Sequence, residues 1–442
     1  MNRISRGAAP PNQRSLRKAG VHSSILALCL TLLSCSGSEG PAAPSGPGTL
    51  TILEGNAVSA PAGTVVPLGP SFELLDAGGE PVVGASVQLE VLEGGGRLAA
   101  PSLKTDARGQ ASGIWVLGRE PGIPQRLRAS FGSLEVEITA QAVPAAPGQP
   151  YQGRLGYTEY IPGTLPLVLT APHGGFLEPV EIPDRGWGTI ARDRNTIELT
   201  LAIREALYAR TGAYPHVILS NLHRLKLDPN REIVEAAQGN PQAERAWWEF
   251  QIFADEAGDL VEDAFGEGLH LDIHGHGHEI NRLELGYLLS RTDLFQPDGV
   301  LSGTSFVIKS SLRALAEKPG NDLASLVRGP QSLGTLMEER LIPGVPSTSQ
   351  PNPGQDDYFT GGYNTVRHGS RDGGNVSAIQ IEHHFPGLRD EAGNRERYAQ
   401  ALADALLVFF RTQFGWEMSP LTAGNSPANN SAGEFLPALA GG

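Results

Sequence analysis

The sequence predicts an α/β domain with a mostly parallel mixed sheet and helices on both faces, preceded by a small all-β sandwich. Three observations support this fold class. Residues 49–143 form short alternating runs between turn residues, and residues 151–417 alternate apolar runs with amphipathic helices. The third observation is the length of 442 residues, which exceeds the roughly 250–300 residues at which single cores stop growing.

The N-terminal 35 residues predict an export signal. Basic residues precede the apolar run 25–33, which is too short to span a bilayer. The run ends in Leu32-Leu33-Ser34-Cys35, which resembles a bacterial lipobox. The resemblance implies lipidation of Cys35 and a membrane-anchored lipoprotein of the bacterial cell envelope; the alternative is an ordinary secretory signal. Composition predicts a flexible tether over 36–48 and a disordered tail over 418–442.

Charge and cysteine content restrict the partners and ligands. The net charge of −14 argues against a nucleic-acid partner, because such binding depends on clustered Lys and Arg. The two cysteines, Cys29 and Cys35, both lie in the signal segment. Any metal in the mature protein therefore takes nitrogen and oxygen ligands.

The segment 49–143 carries turn residues every 8 to 12 residues or so, which is typical of an antiparallel sandwich. Its central part resembles the bacterial Ig-like repeats of invasins and surface proteins, through Pro81-Val82-Val83-Gly84-Ala85, Gly94-Gly95-Gly96 and Thr105-Asp106. We expect Gly109 to serve a tight turn and Trp115 to fill the core. No titratable cluster occurs here, so the predicted role is a spacer or adhesion module.

A Pro/Gly linker, 144–150, leads to the α/β domain over 151–417. Apolar runs at 165–169, 216–219, 269–273 and 378–381 predict buried strands. One amphipathic helix is predicted from about Asn195 to Gly212, where a C-terminal glycine is expected. Another is predicted from about Arg395 to just before Gly415.

Polar residues follow these predicted strands at the sheet edge where ligands bind in α/β folds. His173 and Glu178 follow one strand, and His274 follows another that also carries Asp272. Two histidines and a carboxylate with an open fourth position form a catalytic zinc ligand set. The alternative is a simple turn at His173 and an incidental metal-scavenging loop at residues 274–278.

Two further strand ends add charged groups. The run 221–231 supplies arginines suited to gripping carboxylates; the alternative is a loop with a surface pair between Asp228 and Arg231. Glu382 ends the last apolar run, where a carboxylate can take a proton from water and return it to a leaving amine. The alternative for Glu382 is a structural acid.

Taken in order, the motifs APHGG, RDRNT, HRLKLDPNR, LDIHGHGH, ELGYLL, GGYNTVRHGS and AIQIEHH resemble the N-formylglutamate amidohydrolase family. That family is similar in fold and site to zinc carboxypeptidases and aspartoacylases. The resemblance spans residues 160–415. It implies a zinc-dependent hydrolase that cleaves an amide bond in an N-acyl amino acid, γ-glutamyl or peptide-like substrate through metal-activated water.

The resemblance also assigns site residues. It implies zinc (Zn²⁺) on His173 and His274, with Glu178 as the carboxylate ligand and Glu181 or Asp193 as competitors. Glu382 becomes the general base and acid, and Arg224 polarises the scissile carbonyl. A second set of residues is implied to bind a small-molecule or peptide-like substrate that carries a carboxylate, namely Asn230, Arg231, Tyr363 and Arg367.

The chain departs from cytosolic deformylases in three respects: it carries an export signal, it has HGG after the first strand, and it inserts residues 302–350. Two other functions are compatible with the pattern. One is a surface-anchored binding or adhesion protein with an inactive hydrolase fold, and the other is a metal-dependent esterase or deacetylase. The metal hypothesis requires ring nitrogens of His173 and His274 within about 5 Å of each other.

Overall fold

A computed structural model of the protein describes residues 47–418. The predicted export signal with Cys35, most of the predicted tether, and residues 419–442 lie outside this range. The described residues belong to one compact unit. None of their helices combines the length and apolarity needed to cross a bilayer.

Residues 47–143 form β-strands of two to ten residues. In chain order the strands are β1 (Pro47–Glu54), β2 (Val58–Pro61), β3 (Ser71–Asp76), β4 (Ser86–Glu93), β5 (Arg97–Leu98), β6 (Ser102–Lys104), β7 (Gln110–Ser112), β8 (Trp115–Val116), β9 (Pro124–Phe131) and β10 (Leu134–Val143).

Two sheets of this N-terminal domain enclose one core. Their strand orders are β1-β3-β7 and β2-β10-β9-β4-β6, and β5 pairs with β8. Phe72 from the first sheet and Leu127 from the second are both fully buried in that core. Trp115 is also fully buried, and Gly109 has φ +71° in a turn. The predicted roles of these last two residues are confirmed.

Residues 151–418 combine strands and helices. The strands are β11 (Tyr151–Gln152), β12 (Thr158–Ile161), β13 (Leu167–Ala171), β14 (His216–Ser220), β15 (Gly268–Gly275), β16 (Leu283–Gly286), β17 (Gly344–Val345) and β18 (Val376–His383). The helices are α1 (Thr196–Thr211), α2 (Ile233–Ala237), α3 (Pro241–Phe265), α4 (Arg291–Leu294), α5 (Asp298–Leu301), α6 (Thr304–Val307), α7 (Arg313–Ala316), α8 (Leu323–Arg328), α9 (Leu333–Glu338), α10 (Tyr363–His368) and α11 (Ala392–Phe409).

The eight strands form one mixed sheet in the order β11-β12-β14-β13-β15-β18-β16-β17. The neighbours β14/β13, β13/β15, β15/β18 and β16/β17 are parallel. The neighbours β11/β12, β12/β14 and β18/β16 are antiparallel. The parallel strands β14, β13, β15 and β18 stand side by side, so their carboxyl ends meet at one edge.

Successive residues of β13 enter different core clusters, because strand side chains alternate between faces. Leu167 and Leu169 pack in a cluster with residues of α1 and α11. Val168 packs instead with α3, through residues such as Phe250 and Phe253. All five residues of β13 are buried, which explains why the sequence shows a continuous apolar run rather than alternation.

The two helices expected from the sequence are present. Gly212 follows α1 with φ +73°, and its N–H bonds to the carbonyl of Tyr208, a left-handed cap that glycine adopts without steric cost. The helix α11 continues through a short π-type turn to Gly415, which has φ +81°. The insertion 302–350 also folds onto the main core, since Leu312, Leu326 and Leu336 belong to it.

The N-terminal domain contacts the α/β domain through α3. Arg245 donates hydrogen bonds from its guanidinium to the carbonyl oxygens of Val66, Pro67 and Gly113, at 2.9–3.1 Å. Arg119 of the N-terminal domain forms an ion pair of 2.9 Å with Glu256 of α3. The N-terminal domain therefore supplies hydrogen-bond acceptors to Arg245 and a counter-charge to Glu256, both of α3.

Candidate metal centre

Three segments bring the central side chains together at the carboxyl edge of the sheet. His173 follows β13, and His274 lies near the end of the adjacent strand β15. Asp193 lies just before α1, and its backbone N–H bonds to the carbonyl of His173 at 3.1 Å. Glycine is required beside His173, because a Cβ on Gly175 would lie 2.3 Å from the backbone of Asn221.

The three side chains form a compact triangle of ligand atoms. Nδ1 of His173 lies 3.1 Å from Nδ1 of His274, and each Nδ1 lies 3.3 Å from Oδ2 of Asp193. Tetrahedral zinc with bonds of about 2.0–2.1 Å separates its ligands by ~3.3 Å. The triangle therefore fits a zinc ion without rearrangement, and all three residues are buried.

An aspartate lies within hydrogen-bond distance of the second ring nitrogen of each histidine. Nε2 of His173 lies 2.6 Å from Oδ1 of Asp228, and Nε2 of His274 lies 2.7 Å from Oδ2 of Asp272. When Nε2–H donates to the carboxylate, Nδ1 carries the lone pair that a metal needs, and this arrangement is common around zinc. Asp228 is fully buried, so the alternative of a surface pair with Arg231 is wrong.

The carboxylates make this region strongly attractive to positive charge. Burial opposes ionisation of Asp193, yet the imidazoles of His173 and His274 outweigh it and hold the pKa of Asp193 far below its ordinary value. Burial lowers the pKa of His274, because it disfavours the charged imidazolium. Asp272, Asp193 and Glu382 outweigh this effect and raise the pKa of His274 well above 6.5. A field that stabilises an imidazolium also stabilises a metal cation.

Glu382 lies beside this triangle on the neighbouring strand. In the parallel register of β15 and β18 it is opposite His274, and Gln380 is opposite Asp272, so these side chains share one sheet face. Oε1 of Glu382 accepts a hydrogen bond from Nε2 of Gln380 at 3.0 Å. Burial raises the pKa of Glu382 to about 8, although His274 lowers it.

Glu178 does not join the two histidines, and this prediction requires correction. Its side chain is 53% exposed and lies 3.9 Å from Nε2 of His223. Glu181 is also exposed and accepts a hydrogen bond from the hydroxyl of Tyr157. Both glutamates lie in the exposed loop after His173. Asp193, at the end of that loop, lies beside the two histidines and occupies the third position of the triangle.

Arg224 lies next to the centre. Its Nε donates to Oδ2 of Asp228 at 2.9 Å, and Nη1 lies 3.7 Å from Oδ1 of Asp193. The guanidinium therefore balances part of the negative charge of both aspartates. It also fixes the carboxylate that holds His173.

Asn230 and Arg231 follow in the same loop but have different surroundings. Asn230 is 3% exposed, accepts a hydrogen bond from the N–H of Asn364 at 2.8 Å, and places Nδ2 3.3 Å from Nε2 of His274. Arg231 is more open: its Nε donates to Glu235 at 3.2 Å, and its side chain is 34% exposed. Asn230 therefore supports the centre through its backbone N–H, which donates to Oδ1 of Asp228 at 3.1 Å, while Arg231 retains access to solvent.

Tyr363 and Arg367 belong to α10, which contacts β15 and β18. Arg367 forms an ion pair of 2.7 Å with Asp255 of α3, so its charge is already matched by a protein carboxylate. Tyr363 is partly buried, and its ring lies 5.9 Å from that of Trp247. The two residues lie on one helix, one turn apart, with Nη1 of Arg367 3.4 Å from the Tyr363 hydroxyl.

Comparisons with known proteins give only partial similarities. No protein-family profile matches the chain, and no curated protein matches it. Among solved structures, the D00-D0 domain of intimin is 18% identical over 22% of this chain and 46% of that one, with a TM-score of 0.18.

The Yersinia pseudotuberculosis adhesin InvE is 17% identical over 28% of this chain and 42% of that one, with a TM-score of 0.20. Domains 4 and 5 of the S-layer protein SbsC are 19% identical over 22% of this chain and 46% of that one, at 0.18. The chain thus spans less than half the length of these three structures. TM-scores this far below 0.5 do not establish a shared overall fold.

Proposed function

We propose that this protein is a zinc-dependent hydrolase that cleaves an amide bond in a small-molecule or peptide-like substrate carrying a carboxylate. The observation that carries the proposal is the triangle of His173, Asp193 and His274, whose edges of 3.1–3.3 Å match tetrahedral zinc. The motif resemblance to N-formylglutamate amidohydrolases supports the same reaction class, with a carboxypeptidase-like sheet covered by helices on both faces.

The donor set favours a transition metal. Imidazole nitrogen together with one carboxylate suits zinc, whereas magnesium and calcium prefer oxygen ligands throughout. His173, Asp193 and His274 would hold the ion, and Asp228 and Asp272 would keep the imidazoles in the required tautomer. When bound, zinc supplies Lewis-acid polarisation of a carbonyl and acidification of water.

Glu382 is the proposed proton carrier. It accepts a proton from the attacking water and returns it to the leaving nitrogen as the tetrahedral species collapses. Burial raises the pKa of Glu382 above its ordinary value, which makes its carboxylate a stronger proton acceptor. Gln380 orients the carboxylate by donating a hydrogen bond to Oε1.

Arginines complete the proposed site. Arg224 faces the triangle through Nη1 and stabilises negative charge that develops on the carbonyl oxygen. Arg231, with its partly exposed guanidinium, binds the carboxylate of the substrate. Tyr363 lines the pocket, whereas Asn230 and Arg367 position the site through their contacts with Asp228 and Asp255.

We further propose that the protein acts in the bacterial cell envelope, anchored through a lipid on Cys35. In this arrangement the Ig-like N-terminal domain separates the hydrolase from the membrane surface. The acidic composition argues against a nucleic-acid substrate.

The test compares purified wild type with Glu382→Gln and His274→Ala. We expect about one tightly bound zinc at the triangle in wild type and in Glu382→Gln, with its loss in His274→Ala. Turnover should fall by roughly 10²–10⁴-fold in Glu382→Gln, the usual contribution of a general base. Substrates should include N-acyl amino acids, γ-glutamyl peptides and acetylated sugars.

The outcomes separate the alternatives. Hydrolysis of amides that depends on Glu382 supports the proposal, whereas preference for acetylated sugars would identify an esterase or deacetylase. Zinc bound without turnover of any class would favour a binding or adhesion protein. Zinc retained in His274→Ala at wild-type affinity would refute the assigned ligand set.

A further inference from the structure

A second group of nitrogen and oxygen ligands lies just beyond the proposed zinc centre. His276 and His278 follow β15 in the His-Gly-His-Gly-His run, and Glu284 belongs to β16. One ligand atom from each of these residues lies within 4.8 Å of the others. We propose that His276, His278 and Glu284 form a second binding site for a divalent transition-metal ion.

The hydrogen bonds of His276 leave one nitrogen directed toward the group. Nε2 of His276 donates to the carbonyl oxygen of Arg282 at 2.8 Å, so Nδ1 carries the lone pair. Metal-binding histidines commonly donate their other ring N–H to a backbone carbonyl in this way. The backbone N–H of His278 donates a hydrogen bond to the same Nδ1 at 3.2 Å, and a metal ion bound at Nδ1 would replace that bond.

Glu284 is buried, and both of its carboxylate oxygens have partners. Its Oε1 lies 2.8 Å from Nδ1 of His278, and its Oε2 accepts a hydrogen bond from the N–H of Phe359 at 2.9 Å. Glu284 is 0% exposed, and the ion pair that the structure gives it within residues 47–418 is with His278. A fully buried carboxylate requires a compensating charge, which a metal ion supplies directly.

The surrounding residues limit the movement of the ligands. The ring of His278 stacks on Phe359, with centroids 4.7 Å apart and planes within 5°. Within the described residues, Nδ1 of His384 is buried without a hydrogen-bond partner. Its ring centroid lies 6.4 Å from that of His276. His384 is therefore the nearby candidate for a fourth donor.

The second site is distinct from the first but close to it along the sheet. His276 is two residues after His274, and Glu284 is the antiparallel register partner of Glu382. The ligand set of two imidazoles and one carboxylate suits zinc, cobalt or nickel rather than magnesium or calcium. The printed edges of the first triangle are 3.1–3.3 Å, and in the second group Nδ1 of His278 lies 2.8 Å from Oε1 of Glu284.

Metal stoichiometry of the full chain tests the proposal. Metal-free protein is titrated with Co²⁺ alone, and bound metal is counted after gel filtration and followed by visible absorption. We expect about two equivalents in wild type and about one in either His278→Ala or His274→Ala. The combined variant should bind none specifically. The matched control is His223→Ala, which removes a histidine of similar side-chain exposure, 23% against 22% for His278.

Wild type that holds a single equivalent, lost entirely in His274→Ala, would overturn the second site. Retention of two equivalents in His278→Ala would overturn it as well. Glu284→Gln is a second variant that keeps the side-chain volume, and circular dichroism checks that each variant is folded. The result is independent of catalysis: two equivalents without any hydrolysis would refute the proposed function and leave this site intact.

Discussion

The carboxylate of Asp228 provides a direct test of how the first site is built. It accepts from Nε2 of His173 at 2.6 Å, from Nε of Arg224 at 2.9 Å and from the N–H of Asn230 at 3.1 Å. In Asp228→Asn, one of the two side-chain oxygens becomes an NH₂ group. That group must face a donor, either Arg224 or the imidazole.

Both arrangements weaken metal binding. If the amide oxygen accepts from Nε2–H of His173, the NH₂ group opposes Arg224 and a charged hydrogen bond is lost. If the amide is flipped, His173 must place its proton on Nδ1, where the metal needs a lone pair. Loss of such an outer partner typically weakens metal affinity by about 10–100-fold, which corresponds to about 1.4–2.8 kcal/mol.

The assay is competition for zinc with a chromophoric chelator at neutral pH, with the melting temperature measured on the same samples. Asp184→Asn is the control, since Asp184 is 62% exposed and pairs with Lys226 at 2.8 Å. An unchanged zinc dissociation constant in folded Asp228→Asn would refute the reasoning. A loss of zinc affinity in Asp184→Asn as large as that in Asp228→Asn would refute the reasoning as well.

Three further predictions follow from other contacts. Glu178→Gln should leave the zinc dissociation constant within about twofold, whereas Asp193→Asn should raise that constant by more than ~100-fold, because loss of a ligand weakens binding more than loss of an outer partner. Competition with a chelator measures both dissociation constants. Equal effects of the two substitutions would contradict the corrected ligand set. Arg245→Met should lower the free energy of unfolding by ~3 kcal/mol or more, because the buried carboxylate of Glu249 loses its partner; urea titration tests this, and a loss below about 1 kcal/mol would refute it. Burial lowers the pKa of His216 from 6.5 to about 4, so the stability contributed by its neutral form is complete above pH 6.5 and is lost as pH falls through 4. This lowering of the pKa corresponds to roughly 3 kcal/mol at most. His216→Phe should therefore flatten the acid side of the stability curve, measured by urea titration from pH 7 to 4; an unchanged slope would contradict this.

Features that depend on local chemistry were predictable from the sequence. The end of α1 at Gly212 follows from a glycine with a positive φ angle, and the buried strand β13 follows from an uninterrupted apolar run. The proximity of His173 and His274 was also predictable, because both follow strands whose carboxyl ends meet at one sheet edge. Their Nδ1 atoms lie 3.1 Å apart, well within the 5 Å limit.

The third ligand position was not predictable in the same way. Glu178 is close to His173 along the chain, but loop 174–192 follows a path set by tertiary contacts rather than by residue spacing. Asp193 returns to His173 through a backbone hydrogen bond and the start of α1. The burial of Asp228 likewise depends on Arg224 and His173, which no local pattern reveals. The second ligand group was not predicted, because Glu284 lies in β16, whereas His276 and His278 follow β15, and no local pattern connects it with them.

The position of α3 has a practical consequence for anyone who wishes to shorten this protein. One side of the helix holds Arg245 and Ile252 against the N-terminal domain. Its other side holds Gln251, which bonds to the carbonyl of Pro229 and to His368. A truncated chain that starts after residue 150 would remove the three carbonyl partners of Arg245 and expose Ile252 to water. Its zinc affinity and turnover would then describe a weakened scaffold, so measurements should begin from the chain that retains both domains.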